Sequence, residues 1–264
     1  MAETGESGTG NGGIVTAALV VIGNEVLSGR TRDANTPYLA ERLNALGVRL
    51  VEVRIVPDDR AAIARAVNAL RAKCDYVFTT GGIGPTHDDI TAGAVAAAFG
   101  VPLKPHPEAV ARLERHYGAD FNAARRRMAE MPEGAELIDN PVSAAPGFRI
   151  GNVFVMAGVP AIMQAMFEGI RHRLAGGRPL ISRTLRTTLA EGVLAARLGE
   201  LQEKFPDVEI GSYPTMGRRV PGVRVVLRAV DEARLGAAVS ELVKVVAGLG
   251  GEAEELAFTS AGER

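Results

Sequence analysis

The sequence predicts an α/β fold with a mostly parallel sheet, followed by a second, smaller α+β domain. Short apolar segments at 16–22, 48–56 and 75–80 alternate with helical patterns, and each segment ends in a polar or glycine-rich turn. Strands that alternate with helices in this way form parallel sheets with right-handed crossovers. Continuous apolar runs are typical of strands that are buried on both faces.

The helices between these segments are predicted from their caps. Thr36 is expected to be the N-cap of the first helix, because Pro37 would then occupy the first helical position. Asp58 or Asp59 is expected to cap the second helix. The third strand runs into a glycine-rich loop at 81–89 (GGIGPTHDD), after which Asp88 or Asp89 is expected to cap an alanine-rich helix.

The rest of the chain completes the first domain and forms the second. In the first domain we predict helices at 107–117, 121–130 and 160–174, a strand at 137–138 and a hairpin at 148–155. In the second we predict strands at 183–189, 208–213 and 222–230, and helices at 193–205 and 231–249. The predicted boundaries are a tail at 1–13, a first domain at 14–176 and a second at 180–258, joined by a Gly-Gly-Arg-Pro linker.

Composition excludes several classes of function. The 264 residues include 30 Lys and Arg against 31 Asp and Glu. The sequence therefore lacks the basic excess that is typical of nucleic-acid-binding proteins. The single cysteine, Cys74, forms no internal disulfide and suits a reducing compartment. No apolar run approaches the roughly 20 residues that span a bilayer, and the first residues lack the pattern of a signal peptide. We therefore expect a cytoplasmic protein without a membrane partner.

Polar clusters follow three of the predicted strands, at 23–25, 58–59 and 81–89. Ligands of open α/β sheets bind beyond the carboxyl ends of the strands, so we expect these clusters to converge. Gly81, Gly82 and Gly84 would let the backbone turn tightly and present N–H groups to a phosphate.

The acidic pair Asp88 and Asp89 has two interpretations. Carboxylates beside a phosphate are favourable when they hold a divalent cation such as Mg²⁺. Alternatively, one of them caps the following helix and the other interacts with its dipole. His87 is either an acid–base group or a surface residue, and the basic run at 125–127 either reaches a phosphate or is a solvated helix face.

Two long motifs point to a known family. They are residues 23–30 (GNEVLSGR), followed by Asp33 and Asn35, and residues 79–91 (TTGGIGPTHDDIT). Shorter motifs follow at 131–135, 140–141, 145–148 and 158–160. In order and spacing this set resembles CinA-type proteins (the N-terminal domain of competence/damage-inducible protein A), which belong to the MoaB/Mog molybdopterin-binding superfamily. The resemblance covers about residues 16–172, and segment 208–214 resembles the small KH-like second domain of this group.

The resemblance implies a three-layer MoaB/Mog-like α/β domain and assigns roles to individual residues. The ligand-binding positions it implies are Asn24, Gly81, Gly82, Gly84, Pro85, Thr86, Asp88 and Gly158. The catalytic positions it implies are Asp89 with Asp58 or Asp59, of which Asp59 and Asp89 would hold the metal, with Asp58 left open as an alternative to Asp59. Beside these, Glu25 or His87 is expected to position the attacking water.

The activity implied is divalent-metal-dependent cleavage of nucleotide pyrophosphates such as ADP-ribose or FAD, with Mg²⁺, Mn²⁺ or Co²⁺. The alternative is capture of molybdopterin, or a related phosphorylated pterin, without turnover. The family also implies a homo-oligomer, either a dimer or a trimer. Two departures bear on the choice, because Ala157 and Ile162 stand where the family commonly has Pro and Glu.

Overall fold

The computed structural model describes residues 14–215 and 222–256. The tail predicted at 1–13 and the last residues of the predicted second domain lie outside these ranges. The chain divides into two compact units, residues 1–177 and 178–264, and the division falls within the predicted linker. Among the described residues, no helix combines the length and the apolar character that a bilayer crossing requires.

The first unit contains eight strands and seven α-helices within its described residues. The strands are β1 (Val15–Ile22), β2 (Val48–Val56), β3 (Tyr76–Thr80), β4 (Leu103–Pro105), β5 (Glu130–Pro132), β6 (Glu136–Ile138), β7 (Gly147–Ile150) and β8 (Val153–Met156). The helices are α1 (Asn24–Leu27), α2 (Asn35–Ala45), α3 (Arg60–Arg71), α4 (Thr91–Phe99), α5 (Pro107–Tyr117), α6 (Ala123–Arg127) and α7 (Pro160–Ile170). Short 3₁₀ turns lie at Gly118–Asp120 and Arg171–Arg173.

A six-stranded sheet in the order β2-β1-β3-β8-β7-β6 forms the centre of this unit. The first four strands are parallel, whereas β7 and β6 are antiparallel. Successive side chains of β1 enter two different cores, with Val20 in one and Leu19 in the other, and both are fully buried. Helices α3, α4 and α5 cover one face of the sheet, and α2 and α7 cover the other. The mixed, mostly parallel α/β fold predicted from the apolar runs is therefore confirmed, as is the three-layer arrangement.

Two predicted helix starts are wrong, and in both cases the cap lies elsewhere. Helix α2 begins at Asn35 because the carboxylate of Asp33 accepts the N–H groups of Asn35 and Thr36, at 2.9 and 3.2 Å. Helix α4 begins at Thr91, and Ile90 occupies the N-cap position, so neither acidic residue of the glycine-rich loop caps it. The cap predicted for α3 is confirmed at Asp59.

The segment predicted as a helix at 121–130 contains only one short helix, α6, and then strand β5. Strand β5 pairs with β4, and neither strand is visible in the sequence pattern. The hairpin predicted around Gly151 is confirmed as β7 and β8. Strands of three residues are too short to show an alternating pattern, so only pairing in the folded chain defines them.

The second unit is a four-stranded antiparallel sheet in the order β10-β11-β9-β12, packed against two helices. Its elements are β9 (Ile181–Thr187), α8 (Glu191–Lys204), β10 (Glu209–Pro214), β11 (Val223–Ala229), α9 (Glu232–Gly248) and β12 (Ala253–Leu256). Leu235 and Leu242 of α9 and Leu227 of β11 are fully buried in its core. The smaller α+β unit predicted from the sequence is confirmed, but β12 was missed.

Candidate functional site

The carboxyl ends of the four parallel strands lie along one edge of the sheet, and a loop leaves each of them there. Two of these loops are joined to their neighbours by backbone hydrogen bonds, from the N–H of Gly23 to the carbonyl of Val56 (3.2 Å) and from that of Gly81 to the carbonyl of Met156 (3.1 Å). A cleft of about 720 Å³ opens between the loops. The polar clusters of the sequence are thus brought together at the position where such sheets bind ligands.

Most of the residues assigned to the site line this cleft. They are Glu25, Asp58, Gly81, Gly82, Gly84, Pro85, Asp88, Asp89 and Gly158. Asn24, Asp59 and Thr86 do not line it, and each of the three makes a hydrogen bond that holds a neighbouring loop or helix in place.

The glycine-rich loop depends on glycine at two positions. Gly81 and Gly82 have φ angles of +105° and +67°, which L side chains rarely adopt. A Cβ on Gly81 would lie 2.3 Å from the carbonyl oxygen of Ile22, and one on Gly82 would lie 2.3 Å from Oγ1 of Thr91. The buried Thr91 in turn donates its hydroxyl to the carbonyl of Gly81 (2.9 Å) and its N–H to that of Gly82 (3.0 Å). The start of α4 therefore holds the loop in the conformation that lines the cleft.

The acidic pair at the end of this loop is arranged around Thr86. The N–H of Thr86 donates to Oδ2 of Asp89 at 2.8 Å, and the Thr86 hydroxyl lies within hydrogen-bond reach of both Oδ1 of Asp88 and Oδ2 of Asp89. The hydrogen bond from the Thr86 side chain, followed by one from the backbone N–H of Asp88, lowers the pKa of the Asp88 carboxyl below its usual value. Both carboxylates are thus held in a tight turn that lines the cleft.

The neighbouring residues Asp58 and Asp59 have different surroundings. Oδ1 of Asp59 accepts the N–H of Ala62 at 2.7 Å and caps α3. Oδ2 of Asp58 accepts the N–H of Asn24 at 2.9 Å, and Asp58 lines the cleft beside Glu25. Of the two acidic residues left as alternatives by the sequence, the structure places Asp58 at the cleft and Asp59 at a helix end.

The loop after β8 also lines the cleft. Gly158 packs closely on the glycine-rich loop, since a Cβ on it would lie 3.1 Å from Cα of Gly81. Its carbonyl accepts a hydrogen bond from Nδ2 of Asn35 at 2.8 Å. Ala157 and Ile162 line the cleft with apolar groups at the positions where the family commonly has Pro and Glu.

Several residues that the sequence analysis did not assign also line the cleft. Arg125, which was considered as part of a basic run, lines it together with Tyr117, whereas its neighbour Arg126 is exposed and does not. Asn140 and Ser143 belong to a loop in which the Asn140 side chain makes four hydrogen bonds to its own segment. The family motif at 140–141 was the available signal for this loop, but no pattern distinguished Arg125 from its neighbours.

The carboxylate oxygens of the cleft are candidate ligands for a divalent metal ion. No cluster of three or more His, Cys, Asp or Glu side chains suited to a metal occurs among residues 14–215 and 222–256. Asp58 and Asp89 accept the hydrogen bonds described above on Oδ2, and Oδ1 of each takes no part in those bonds. Mg²⁺ is usually bound by one or two carboxylates together with substrate phosphates and water. The described residues therefore form no complete metal site by themselves, and a metal bound there would need further ligands from a phosphorylated compound or water. The side chain of His87 is 95% exposed and does not line the cleft.

Comparison with known proteins finds a family match in each of the two units. Residues 18–176 match the family model described as a probable molybdopterin binding domain, and residues 179–249 match the middle domain of FAD synthase. The crystal structure of the protein CinA from Thermoplasma acidophilum, described as having unknown function, is similar with a TM-score of 0.57 and 32% identity. That similarity covers 60% of this chain and 96% of the other.

Relatives of different lengths align with this chain. A protein of Aeropyrum pernix is 36% identical over 258 residues, which cover 90% of this chain and 96% of the relative. The probable FAD synthase of Caenorhabditis elegans is 32% identical, covering 88% of this chain and 50% of the relative. A CinA-like protein of Syntrophus aciditrophicus is 37% identical, covering 79% and 52%. The chain thus spans about half the length of the FAD synthase and CinA-like relatives. Together with the match at 18–176, which is more than half of the sequence, these relatives show that the chain belongs to the probable molybdopterin binding domain family, as a CinA-type member.

Proposed function

We propose that this protein is a divalent-metal-dependent nucleotide pyrophosphatase that acts on ADP-ribose-like or FAD-like nucleotides. The observation that carries the proposal is the meeting of a glycine-rich loop and four carboxylates, those of Glu25, Asp58, Asp88 and Asp89, on one cleft. A phosphate ester bound there would meet both the main chain of the glycine-rich loop and metal-ligating oxygens.

The glycine-rich loop is suited to the phosphates. Gly81, Gly82 and Gly84 line the cleft and offer only main-chain atoms to it, so a phosphate oxygen can approach the backbone closely. Because Thr91 and Gly158 hold the loop from both sides, its donors need little rearrangement when a ligand binds. Fixed donors of this kind stabilise the negative charge that develops in the transition state of phosphate-bond cleavage.

Asp58 and Asp89 are the residues that would hold the metal, and Asp58 replaces Asp59 in this role because Asp59 caps α3. A bound divalent ion neutralises phosphate charge and lowers the pKa of a bound water. Glu25 lines the cleft on the exposed first turn of α1, where its carboxylate can accept a proton from the attacking water. Asp88, whose pKa is lowered, is ionised at neutral pH and adds to the attraction for a cation.

The relatives support a nucleotide ligand. The second unit matches a domain found in FAD synthase, and one relative is named a probable FAD synthase. Both names concern a flavin nucleotide, which contains a pyrophosphate bond of the kind proposed as the substrate.

A second candidate is binding of molybdopterin or a related phosphorylated pterin without turnover. The apolar side chain of Ile162 favours it, because Ile162 lines the cleft at a position where the family commonly has the carboxylate of a Glu. The description of the matching family model as a probable molybdopterin binding domain also favours it.

The test is a cleavage assay on the full chain with ADP-ribose and with FAD, in the presence of Mg²⁺, Mn²⁺ or Co²⁺, followed by chromatographic detection of AMP. We expect metal-dependent AMP formation that Asp89→Asn reduces by roughly a hundredfold, or about 2.7 kcal/mol. Glu41→Gln, which removes one negative charge from the exposed face of α2, is the control and is expected to be as active as the wild type. If neither compound is cleaved with any of the three metals, hydrolysis is refuted, and co-purification of a fluorescent pterin would then support the second candidate.

The oligomeric state and the location of the protein are separate predictions. A dimer or trimer remains a prediction that light scattering of the purified chain would test. The cytoplasmic location and the absence of a nucleic-acid partner also remain predictions.

A further inference from the structure

Arg125 has an unusual position among the charges of the cleft. Four carboxylates line the cleft, and Arg125 is the one Lys or Arg that lines it in the part of the chain that the structure describes. A phosphorylated ligand approaching this surface meets more negative than positive side chains. The single cation therefore has a large influence on which anionic groups can bind, and where.

The guanidinium of Arg125 is held in a defined orientation. Its central carbon lies 4.2 Å from the centre of the Tyr117 ring, and Nη1 donates to the carbonyl of Asp120. No carboxylate within 14–215 and 222–256 forms an ion pair with it. A guanidinium has five N–H donors in a fixed plane, so most of its donors remain available to a ligand.

The helix that carries Arg125 is attached to the glycine-rich loop. Asn122 caps α6 by accepting the N–H of Arg125 at 3.0 Å. Two residues further along, Nη2 of Arg127 donates to the carbonyl of Pro85 at 2.7 Å. The proposed phosphate-binding loop and the Arg125 side chain are thus joined through α6, and neither needs to be ordered by the ligand.

We propose that Arg125 binds a second phosphate group of a diphosphate ligand, with Tyr117 as the residue that positions it. Arg binds phosphate through two parallel N–H···O bonds, a geometry that a lysine does not provide. In this arrangement one phosphate binds the glycine-rich loop, and a second is bound by Arg125, which lines the same cleft. This inference rests on the proposed function only in taking a phosphorylated ligand.

The first test measures binding without turnover, by calorimetry on the full chain in Mg²⁺. The probes are inorganic pyrophosphate and the α,β-methylene analogue of ADP-ribose, whose P–C–P bridge resists hydrolysis. Arg125→Gln is expected to weaken both probes by roughly ten- to hundredfold, as for loss of hydrogen bonds to a charged group. Arg126→Gln, which removes the same charge from an exposed position of the same helix, is the control and is expected to change binding less than about twofold.

The second test concerns Tyr117. Tyr117→Phe keeps the ring under the guanidinium and is expected to bind both probes like the wild type, whereas Tyr117→Leu is expected to weaken them severalfold. Rescue by the conservative variant separates positioning of Arg125 from a direct contact of the phenol hydroxyl. Equal loss in both variants would show that Tyr117 does not act through its ring.

Specific outcomes would overturn the proposal. If Arg125→Gln weakens the ADP-ribose analogue but leaves pyrophosphate unchanged, Arg125 contacts the base or a sugar and not a phosphate. If Arg126→Gln causes the same loss as Arg125→Gln, the effect is a general one of net charge. If the wild-type chain binds neither probe, the proposed phosphate site itself is refuted. Binding that depends on Arg125 in a protein that cleaves no nucleotide would refute the proposed hydrolysis and leave this inference intact.

Discussion

Asp58 and Asp59 are adjacent in the chain, and alanine variants of the two should fail in different ways. Asp59→Ala removes the carboxylate that accepts the N–H of Ala62 at 2.7 Å and caps α3. Loss of such a cap costs about 1 kcal/mol, within a range of roughly 0.5–2. For a unit of this size that corresponds to a fall in Tm of about 2–4 °C. Ile63 and Leu70 of α3 remain fully buried, so the helix is expected to fray at its start and not to unfold.

Asp58→Ala removes a different contact. It loses the hydrogen bond from the N–H of Asn24 at 2.9 Å, which contributes about 1 kcal/mol, so the fall in Tm is expected to be similar. The two variants should differ in the response to ligand. A ligand present at about 100 times its Kd stabilises the folded state by about 2.7 kcal/mol, or roughly 5–10 °C here. Asp59→Ala should retain this shift and Asp58→Ala should lose most of it.

Thermal unfolding of wild type and both variants, with and without Mg²⁺ and the methylene analogue of ADP-ribose, measures both effects in one experiment. The wild-type shift serves as the reference for each variant. Retention of the ligand shift by Asp58→Ala together with its loss in Asp59→Ala would refute our assignment. Loss of the shift in both variants would indicate that the start of α3 is itself part of the ligand site.

Three further predictions concern stability. Gly82→Ala should destabilise the protein by about 2–3 kcal/mol in urea unfolding, because φ is +67° and a Cβ would lie 2.3 Å from Oγ1 of Thr91; an unchanged midpoint would mean that the loop adapts freely. Leu242→Ala should cost about 2–5 kcal/mol, since Leu242 is fully buried in the core of the second unit, and a loss below about 1 kcal/mol would contradict the packing. Arg234 lowers the pKa of the exposed Asp207 carboxyl through two hydrogen bonds. The pair therefore stabilises the fold at pH values above the pKa of Asp in the unfolded chain, which is about 4. This stabilisation disappears as pH falls through the lower pKa that Asp207 has in the folded protein. The stability difference between wild type and Asp207→Asn should therefore shrink as pH falls from neutral to below the unfolded value of about 4, and a difference that grows would reverse the sign of the argument.

The extent to which the sequence predicts this fold depends on how local each signal is. The buried run of β1 and the cap at Asp59 are read directly, because an apolar segment and a capping side chain act within a few residues. The starts of α2 and α4 were misplaced, since a carboxylate at Asp33 and a tight turn at Asp89 compete with the capping positions that local preference favours. Strand β12 was missed because its four residues become a strand only by pairing with β9.

The candidate site shows the same division. From the strand-end positions alone, the sequence indicated that Glu25, Asp58 or Asp59, and the glycine-rich loop would converge, and the structure brings Glu25, Asp58 and Gly81 to one cleft. It could not separate Asp58 from Asp59, because adjacent side chains in a turn are distinguished only by which one meets the N–H groups of the following helix.

The sequence by itself determined the alternation of strands and helices in the parallel part of the sheet, the family, and the loops that carry polar groups, because these depend on periodicity, glycine placement and short-range capping. The tertiary structure decided which carboxylate lines the cleft and that Arg125, in place of its neighbour Arg126, lies there beside Tyr117. The physical reason is distance along the chain. Arg127 meets the carbonyl of Pro85, 42 residues away, and this contact fixes the helix that brings Arg125 to the cleft.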